Sequence, residues 1–354
     1  MAGPTNRTLM PHTLGGGKKK PKRDMVKRMQ TLAPVIVATL VVGSSLFSLP
    51  TILSLDVRSQ EAGSQSSSPF PVSVNPANKT IVENPNADAL INGAANPALS
   101  AAVADAGTVL TSIADFIASL PVYQSLAGTD ERFVTIDPGF RQEQVAAAFG
   151  SALSWSSTQK AAFLKQIHTA PPTLSEGEFT PGTYEVSGAA SATDVQNLLA
   201  DRFNTDVLSR YSTSTAEVVP LSDALTVASL IERETGGTDD MRMISGIIWN
   251  RLFVGMNLQI DATLQYAKAD TTKSWWPAVH PADKYIKSAY NTYQHAGLPP
   301  TPIASPSIAA VIAALNPKPT DCIFYFHDKN GNFHCSATYA QHVALLKKYY
   351  GQGK

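Results

Sequence analysis

The first residue in this sequence that could do chemistry is a glutamate on the apolar face of a helix. Residues seven, four and three positions before Glu234 share its helical face, and these are Val227, Leu230 and Ile231. Burial among apolar side chains disfavours a charged carboxylate and raises its pKa. A carboxyl that stays protonated near neutral pH can act as a general acid. Glu234 is therefore a candidate catalytic acid, although a glutamate in a last helical turn can also extend into solvent or meet an arginine.

A second acid, Glu232, lies two residues earlier. The ~3.6-residue helical period turns it by roughly 200° from Glu234. The two carboxyls therefore do not face one another, and the sequence does not supply a ready-made acid and base pair.

Two helices and a hairpin must position these residues. Ser222 or Asp223 can cap a helix that runs to about Thr235, and Gly236–Gly237 ends it. Residues 238–240, Thr-Asp-Asp, suit the start of a second helix, whose apolar positions extend to about residue 255. Residues 322–327 and 333–336 predict two strands joined by the turn at 328–332. Cys322 and Cys335 can form a disulfide across this hairpin or remain two half-buried thiols.

Upstream segments predict the rest of an α+β fold. A strand is expected at 133–136, helices at 141–149 and 158–167, a turn and strand at 179–186, and a helix over 192–211. The short strands alternate with helices without a sustained βαβ rhythm, so we expect antiparallel pairing.

Other enzyme classes lack their signatures in this sequence. It has no H-E-x-x-H, G-x-S-x-G or P-loop, and its seven histidines do not show metal-ligand spacing. The adjacent Trp275 and Trp276 could stack on sugar rings or simply pack at a domain edge.

The charge and composition of the first 55 residues predict a membrane anchor. The apolar fraction is 44%, enough for a sizeable core, and the formal net charge of zero argues against a nucleic-acid partner. Residues 1–30 are strongly basic, and residues 31–55 carry no charge and are mostly apolar. About 20 apolar residues span a bilayer, and flanking positive charge favours the cytoplasmic side. We expect a cytoplasmic tail and a single transmembrane helix, with a cleaved signal peptide as the alternative.

The remaining chain divides by composition. Residues 56–86 are predicted to be a flexible linker, because they are rich in Ser, Gln, Pro and Asn. Residues 87–130 are Ala-rich and predict a helical stalk or a reduced N-terminal module. Residues 131–350 form the expected catalytic domain, which would lie outside the membrane.

Three long motifs resemble those of the YceG-like endolytic murein transglycosylases. They are LTVASLIERETGGTDDMRMISGIIWNRLFVGMNLQIDATLQYA, SAYNTYQHAGLPPTPIASPSIAAVIAALNP and FYFHDKNGNFHCSATYAQH, and LSEGEFTPGTYEV upstream is similar to the family's loop and strand. The resemblance covers about residues 133–350. Two departures are the lack of a clear LysM-like pattern in residues 60–130 and Cys335, which replaces a common aromatic.

The resemblance assigns roles to residues of these motifs. The family's catalytic acid is the second of an E-x-E-T element, which falls on Glu234, and Glu232 is implied to support it. The other residues implied to bind substrate or support the site are Asn250, Arg251, Gln259, Asp261, Tyr290, Asn291, Thr292 and Tyr293. Of these, Gln259, Asp261, Tyr290, Asn291 and Tyr293 are expected to line the sugar cleft, although Asn291 and Thr292 could instead shape a turn.

The resemblance implies cleavage of the β-1,4 bond between N-acetylmuramic acid and N-acetylglucosamine, with 1,6-anhydro ends. No cofactor or metal is implied. The expected partners are peptidoglycan glycan strands, the cytoplasmic membrane and peptidoglycan synthases. Two alternatives remain open, a lysozyme-like muramidase that uses water and a non-catalytic cell-wall or divisome scaffold.

Overall fold

The computed structural model describes residues 68–95, 130–269 and 274–351. The predicted basic tail, the transmembrane segment at 31–55 and most of the Ala-rich stalk lie outside these ranges. Among the helices of the described ranges, none is both long and apolar enough to cross a bilayer.

The described elements are short strands and helices of one to four turns. In chain order they are β1 (Val74–Asn75), β2 (Thr80–Ile81), α1 (Ala87–Ala95), β3 (Glu131–Ile136), α2 (Gln142–Ala152), α3 (Ser157–Thr169), β4 (Gly182–Ser187), α4 (Ala192–Asp206), α5 (Thr213–Val218), α6 (Leu221–Glu234), α7 (Met241–Phe253), α8 (Asp261–Lys268), α9 (Ile308–Leu315), β5 (Phe324–His327), β6 (Phe333–Ser336) and α10 (Tyr339–Tyr350). Single 3-10 turns lie at Leu208–Arg210 and Pro281–Tyr285. The described strands pair antiparallel, which confirms the predicted α+β class.

A first hydrophobic core lies within residues 130–200, which we call the first lobe. Strands β3 and β4 pair along their whole length, with Val134 opposite Tyr184. Helices α2, α3 and α4 supply the other side of this core through Phe149, Phe163 and Leu199, all with 0% exposure. Burying a side chain of this size stabilises the fold by ~1.5–3 kcal/mol.

A second core is built around α6 and α9, in what we call the second lobe (residues 68–95, 203–269 and 274–351). Every residue of α6 from 224 to 231 is buried. Helix α9 is apolar at all eight positions, and seven of them are buried. A helix that is apolar on every side needs neighbours on every side, and α6, α7 and α1 provide them.

The second lobe begins earlier than the composition predicted. Phe70 and Val74 are only 3% and 1% exposed, and the backbone N–H of Ser73 donates to the carbonyl of Leu315 at 2.9 Å. The expected linker at 56–86 therefore differs from the structure from about residue 70. A polar average composition does not reveal two apolar anchors that are separated by Pro, Ser and Asn.

The helix starts also differ in their capping. Pro220, not Ser222 or Asp223, is the N-cap of α6, and its side chain makes no cap bond. Asp240 is the N-cap of α7 but also makes no cap bond, because its carboxylate lies 2.5 Å from His327 Nε2. A tertiary contact has replaced the local one that the sequence suggests.

The two lobes meet through backbone and side-chain hydrogen bonds. Gly139 donates to the carbonyl of Ser305 at 2.8 Å, and Ser305 donates to that of Phe140 at 2.7 Å. The carboxyl of Glu176, in the first lobe, accepts from the hydroxyl of Tyr266, in the second, at 3.3 Å. These contacts fix the loop before α2 against the loop before α9, and the loop before β4 against α8.

Candidate active site

The last turn of α6 carries Glu234 out of the second core. Val227, Leu230 and Ile231, on the same helical face, are all 0% exposed. Thr235 then leaves the helix with extended backbone angles (φ −95°, ψ 148°), so Glu234 is the final helical residue. Its side chain remains partly exposed while protein surrounds most of it. This is the placement that the spacing predicted.

A tyrosine from the terminal hairpin holds the Glu234 carboxyl. The hydroxyl of Tyr325 in β5 donates to Glu234 Oε2 at 2.8 Å. Tyr325 is opposite Cys335 in the register of the hairpin, and Cys335 is bonded to Cys322 through a disulfide. The disulfide therefore closes the same hairpin that presents the tyrosine to the acid.

The surroundings of Glu234 raise the pKa of its carboxyl above the ordinary value. Burial is the largest cause that raises its pKa, and the nearby Asp261 carboxylate adds to it. Hydrogen bonds from Tyr325 and from the backbone N–H of Ala262, together with His327, act in the opposite direction but do not cancel the rise. The group can thus hold a proton and release it to a leaving oxygen.

Asp261 and Tyr293 form the exposed rim next to this acid. Asp261 begins α8, and the hydroxyl of Tyr293 donates to its Oδ1 at 2.6 Å. The pKa of Tyr293 is raised, first by burial and then by this hydrogen bond to Asp261, so it stays a donor. Both residues lie beside the Glu234 carboxyl, and their role in lining a sugar cleft stays a prediction.

Four of the predicted residues hold the segments around the site through hydrogen bonds to backbone carbonyls or to neighbouring side chains. Arg251 is 6% exposed and donates through Nε to the carbonyl of Ile323 at 2.7 Å. It also donates to the carbonyl of Leu258, and its guanidinium lies 5.7 Å from the Tyr325 ring centre. The supporting contacts of the other three involve Asn250 with the carbonyls of Thr320 and Cys322, Thr292 with Thr263 and Ile260, and Asn291 with the carbonyls of Lys284 and Ile286.

The expectation that Asn291 lines the cleft is wrong. Its side chain is 0% exposed, and its amide is used by two backbone carbonyls and the N–H of Tyr293. An amide with both donors and its acceptor in use inside a loop fixes that loop and does not reach a ligand. Asn291 thus acts on the rim by orienting Tyr293.

Gln259 and Tyr290 occupy different parts of the surface. Gln259 is exposed and has a left-handed backbone (φ 52°), and its N–H donates to the carbonyl of Thr292 at 3.0 Å. Tyr290 packs its ring 4.8 Å from that of Tyr266, and its hydroxyl shares a hydrogen bond with Thr301.

Glu232 faces away from Glu234, as the helical period predicted. Its Oε2 accepts from the N–H and the hydroxyl of Ser307 at 2.9 and 2.6 Å. Ser307 is the N-cap of α9. Glu232 therefore anchors the start of α9, and it is also one wall of a separate groove of about 710 Å³ between the lobes.

Sequence reasoning missed Tyr325, His327 and the position of Trp276. Tyr325 and His327 alternate with Phe324 and Phe326 along β5, and residues two apart share a strand face. The alternation indicates that the Tyr325 and His327 side chains lie on the same face of β5. Trp276 packs against the second core and carries the Arg233 guanidinium 3.9 Å from its ring centre.

Within the described residues, no group of three or more His, Cys, Asp or Glu side chains is arranged to hold a metal ion.

Comparison with known proteins places this arrangement in a family. The profile of the YceG-like family matches residues 110–348. An endolytic murein transglycosylase of Streptococcus pneumoniae is 27% identical over 233 residues, which cover 57% of this chain and 42% of that protein. The Bacillus subtilis protein of the same name is 30% identical over 236 residues, which cover 61% of this chain and 64% of that protein.

A solved structure agrees with this assignment. The crystal structure of a yceG-like protein from Listeria monocytogenes superposes with a TM-score of 0.53 at 26% identity, covering 60% of this chain and 75% of that one. The chain spans less than two thirds of the length of the two named relatives. Because the family profile covers more than half of the sequence, including every candidate site residue, this protein belongs to the YceG-like family.

Proposed function

We propose that this protein is an endolytic murein transglycosylase that cuts the β-1,4 bond between N-acetylmuramic acid and N-acetylglucosamine in glycan strands. The observation that carries the proposal is the carboxyl of the partly exposed Glu234, whose pKa is raised by burial and which accepts a hydrogen bond from Tyr325. The relatives named endolytic murein transglycosylases support the substrate class.

The proposed reaction uses one carboxyl twice. Glu234 donates its proton to the glycosidic oxygen as the bond to the anomeric carbon breaks. The resulting carboxylate then takes the proton from the 6-hydroxyl of the muramoyl sugar as that oxygen bonds to the anomeric carbon. The product is a 1,6-anhydro end, and Glu234 has regained its proton. An internal hydroxyl nucleophile removes the need for the second carboxyl of ordinary glycosidases.

Product analysis with a matched pair of variants tests the proposal. We expect Glu234→Gln to lower the formation of anhydro ends from uncrosslinked strands by at least about 1000-fold, because an amide is not a proton donor of comparable acidity. Glu232→Gln should keep the rate within about 3-fold, because its contacts are with Ser307. Both variants should unfold cooperatively near the wild-type temperature. Wild-type rates for Glu234→Gln would remove it from the mechanism.

A hydrolase is the second candidate, because Asp261 is a second carboxyl close enough to influence Glu234. Such an enzyme would activate water and leave reducing ends. Mass spectrometry separates the two outcomes, since anhydro ends are about 18 Da lighter than hydrolysed ones. A non-catalytic wall scaffold would instead leave strands uncut and let Glu234→Gln complement a deletion fully.

We further propose that residues 31–55 anchor the protein in the cytoplasmic membrane, with residues 1–30 inside the cell and the catalytic domain outside. The uncharged apolar run and the basic flank support this topology. Protease added to intact spheroplasts should digest a C-terminal epitope while a cytoplasmic marker survives. A protected epitope would contradict the topology, and an epitope released to the medium would indicate cleavage of a signal peptide. In the proposed place the enzyme would meet new strands beside the peptidoglycan synthases.

A further inference from the structure

One arginine beside the candidate acid finds no hydrogen-bond acceptor among the residues that the structure describes. Among the seven arginines that the structure describes, six donate at least one hydrogen bond to a carboxylate or a carbonyl; they are Arg132, Arg141, Arg202, Arg210, Arg242 and Arg251. The seventh, Arg233, donates none to any described residue, and its Nε is buried without a partner. A buried donor left unpaired destabilises the fold, and more so when the group is charged.

The position of Arg233 is nonetheless well defined. Its guanidinium stacks on the indole of Trp276, 3.9 Å from the ring centre. The chain of Gly139 passes close by with a positive φ of 83°, and a Cβ at that residue would lie 2.9 Å from Arg233 Nη1. A guanidinium that lies over an aromatic ring keeps its N–H groups available, because they point outward in the plane of the guanidinium. The described surroundings therefore orient the guanidinium but give it no hydrogen-bond acceptor.

The acids next to Arg233 in the sequence do not supply the missing acceptor. Glu232 accepts from Ser307, and Glu234 accepts from Tyr325. The other arginine near Trp276, Arg141, is paired with Glu143 at 3.3 Å. A guanidinium fork matches a carboxylate through two parallel hydrogen bonds, so the acceptor it lacks is best supplied by a carboxylate from outside the protein.

We propose that Arg233 binds a carboxylate carried by the muramic acid of the strand and so sets which glycosidic bond lies at Glu234. This inference rests on the proposed function, because it takes the glycan strand as the ligand. The lactyl group of muramic acid ends in a carboxylate when the stem peptide has been removed, and in a peptide with its own carboxylates when it is present. Both sources offer a carboxylate to the guanidinium. Because Arg233 directly precedes Glu234 in the chain, binding of that carboxylate would position the strand at the proposed acid.

Binding to a variant that does not cut tests this proposal. In the Glu234→Gln background, dissociation constants are measured for uncrosslinked strands with stem peptides, for strands stripped of peptides, and for both after conversion of their carboxylates to methylamides. Arg233→Gln should weaken binding of the carboxylate-bearing strands about 10- to 100-fold, the range for hydrogen bonds to charged groups. It should leave the binding of the methylamide strands unchanged within about 2-fold.

The arms of the experiment identify the source of the carboxylate. Dependence on Arg233 only in peptide-bearing strands assigns the stem, and dependence in stripped strands assigns the lactyl group. Arg233→Lys should recover only part of the affinity, because an ammonium lacks the planar fork. Arg132→Gln changes a half-buried arginine of β3 in the first lobe. It is the matched control and should bind as the parent does.

Failure of this inference is distinguishable from failure of the proposed function. An equal loss of affinity for carboxylate-bearing and methylamide strands, or no loss for either, would overturn the role of Arg233 even if the wild-type enzyme forms anhydro ends. Conversely, Arg233-dependent binding without any anhydro product would leave this inference standing and defeat the transglycosylase. Thermal unfolding of each variant confirms that the fold is retained.

Discussion

Two glutamates in this protein are held by the same kinds of groups but in different surroundings. Glu234 accepts from the hydroxyl of Tyr325 at 2.8 Å, and Glu176 accepts from that of Tyr266 at 3.3 Å. Each carboxyl also accepts from a backbone N–H, and burial is the main cause that raises the pKa of each. An elevated pKa and a tyrosine donor therefore do not by themselves identify a catalytic acid.

Access to the surface separates the two. Glu176 is 5% exposed and enclosed where the lobes meet, whereas Glu234 keeps part of its side chain open beside Asp261 and Tyr293. A general acid must come within hydrogen-bond reach of the oxygen that it protonates. The comparison thus favours Glu234 as the proposed acid, and it gives Glu176 a place at the junction of the lobes.

Removal of each tyrosine hydroxyl in turn tests this comparison, and the larger loss of rate is expected for Tyr325. Tyr325→Phe should lower kcat about 10-fold, because a hydrogen bond to a charged group is worth ~1.5–3 kcal/mol and orients the acid. The lost hydrogen bond favours the carboxylate, so its removal raises the pKa of Glu234 further. The alkaline limb of the pH–rate profile should therefore move to higher pH. Steady-state rates on uncrosslinked strands from pH 5 to about 9 measure both effects.

Tyr266→Phe is the matched control for that experiment. The phenylalanine ring can keep the contact with Tyr290 and the stacking under Arg141, 4.1 Å away, while the bond to Glu176 is lost. We expect kcat within about 3-fold of the wild type and an unmoved alkaline limb, since the lost hydrogen bond holds Glu176 and not the proposed acid. Equal losses of kcat in the two variants would refute the division of roles.

The elements of the site were predictable from the sequence because they depend on local periodicity. The stripe of Val227, Leu230 and Ile231 places Glu234 on a buried face whatever the rest of the fold is, and the structure has all three at 0% exposure. The opposite direction of Glu232 follows from the same period. The hairpin was likewise predictable from its turn residues.

The partners of these elements were not predictable, because they depend on packing between distant segments. Tyr325 reaches Glu234 across 91 residues of sequence, and Tyr266 reaches Glu176 across 90. Alternation along β5 shows which residues share a face but does not say what that face meets. The same limit explains why residues 70–86 were assigned to a linker, since the partner of Ser73 is Leu315.

Glu176 is expected to change the pH dependence of stability and not the catalytic rate. Burial and the nearby Glu143 raise its pKa to about 8, while the unfolded chain has an ordinary carboxyl near 4.5. Between these pH values the folded state binds more protons than the unfolded state, so stability is full below about 4.5 and falls as pH rises towards 8. The slope from one such group is at most about 1.4 kcal/mol per pH unit.

Glu176→Gln should flatten this slope, because the amide imitates the protonated carboxyl and does not titrate. Chemical unfolding from pH 5 to about 8 should show the variant close to the wild type at the acid end and more stable than it at the alkaline end. Glu217→Gln, a change at an exposed residue of α5, should keep the wild-type slope. If Glu176→Gln also kept that slope, Glu176 would be ionised in the folded protein near neutral pH. Enclosure at the lobe junction would then not hold a carboxyl neutral, and the two glutamates would differ in pKa as well as in exposure.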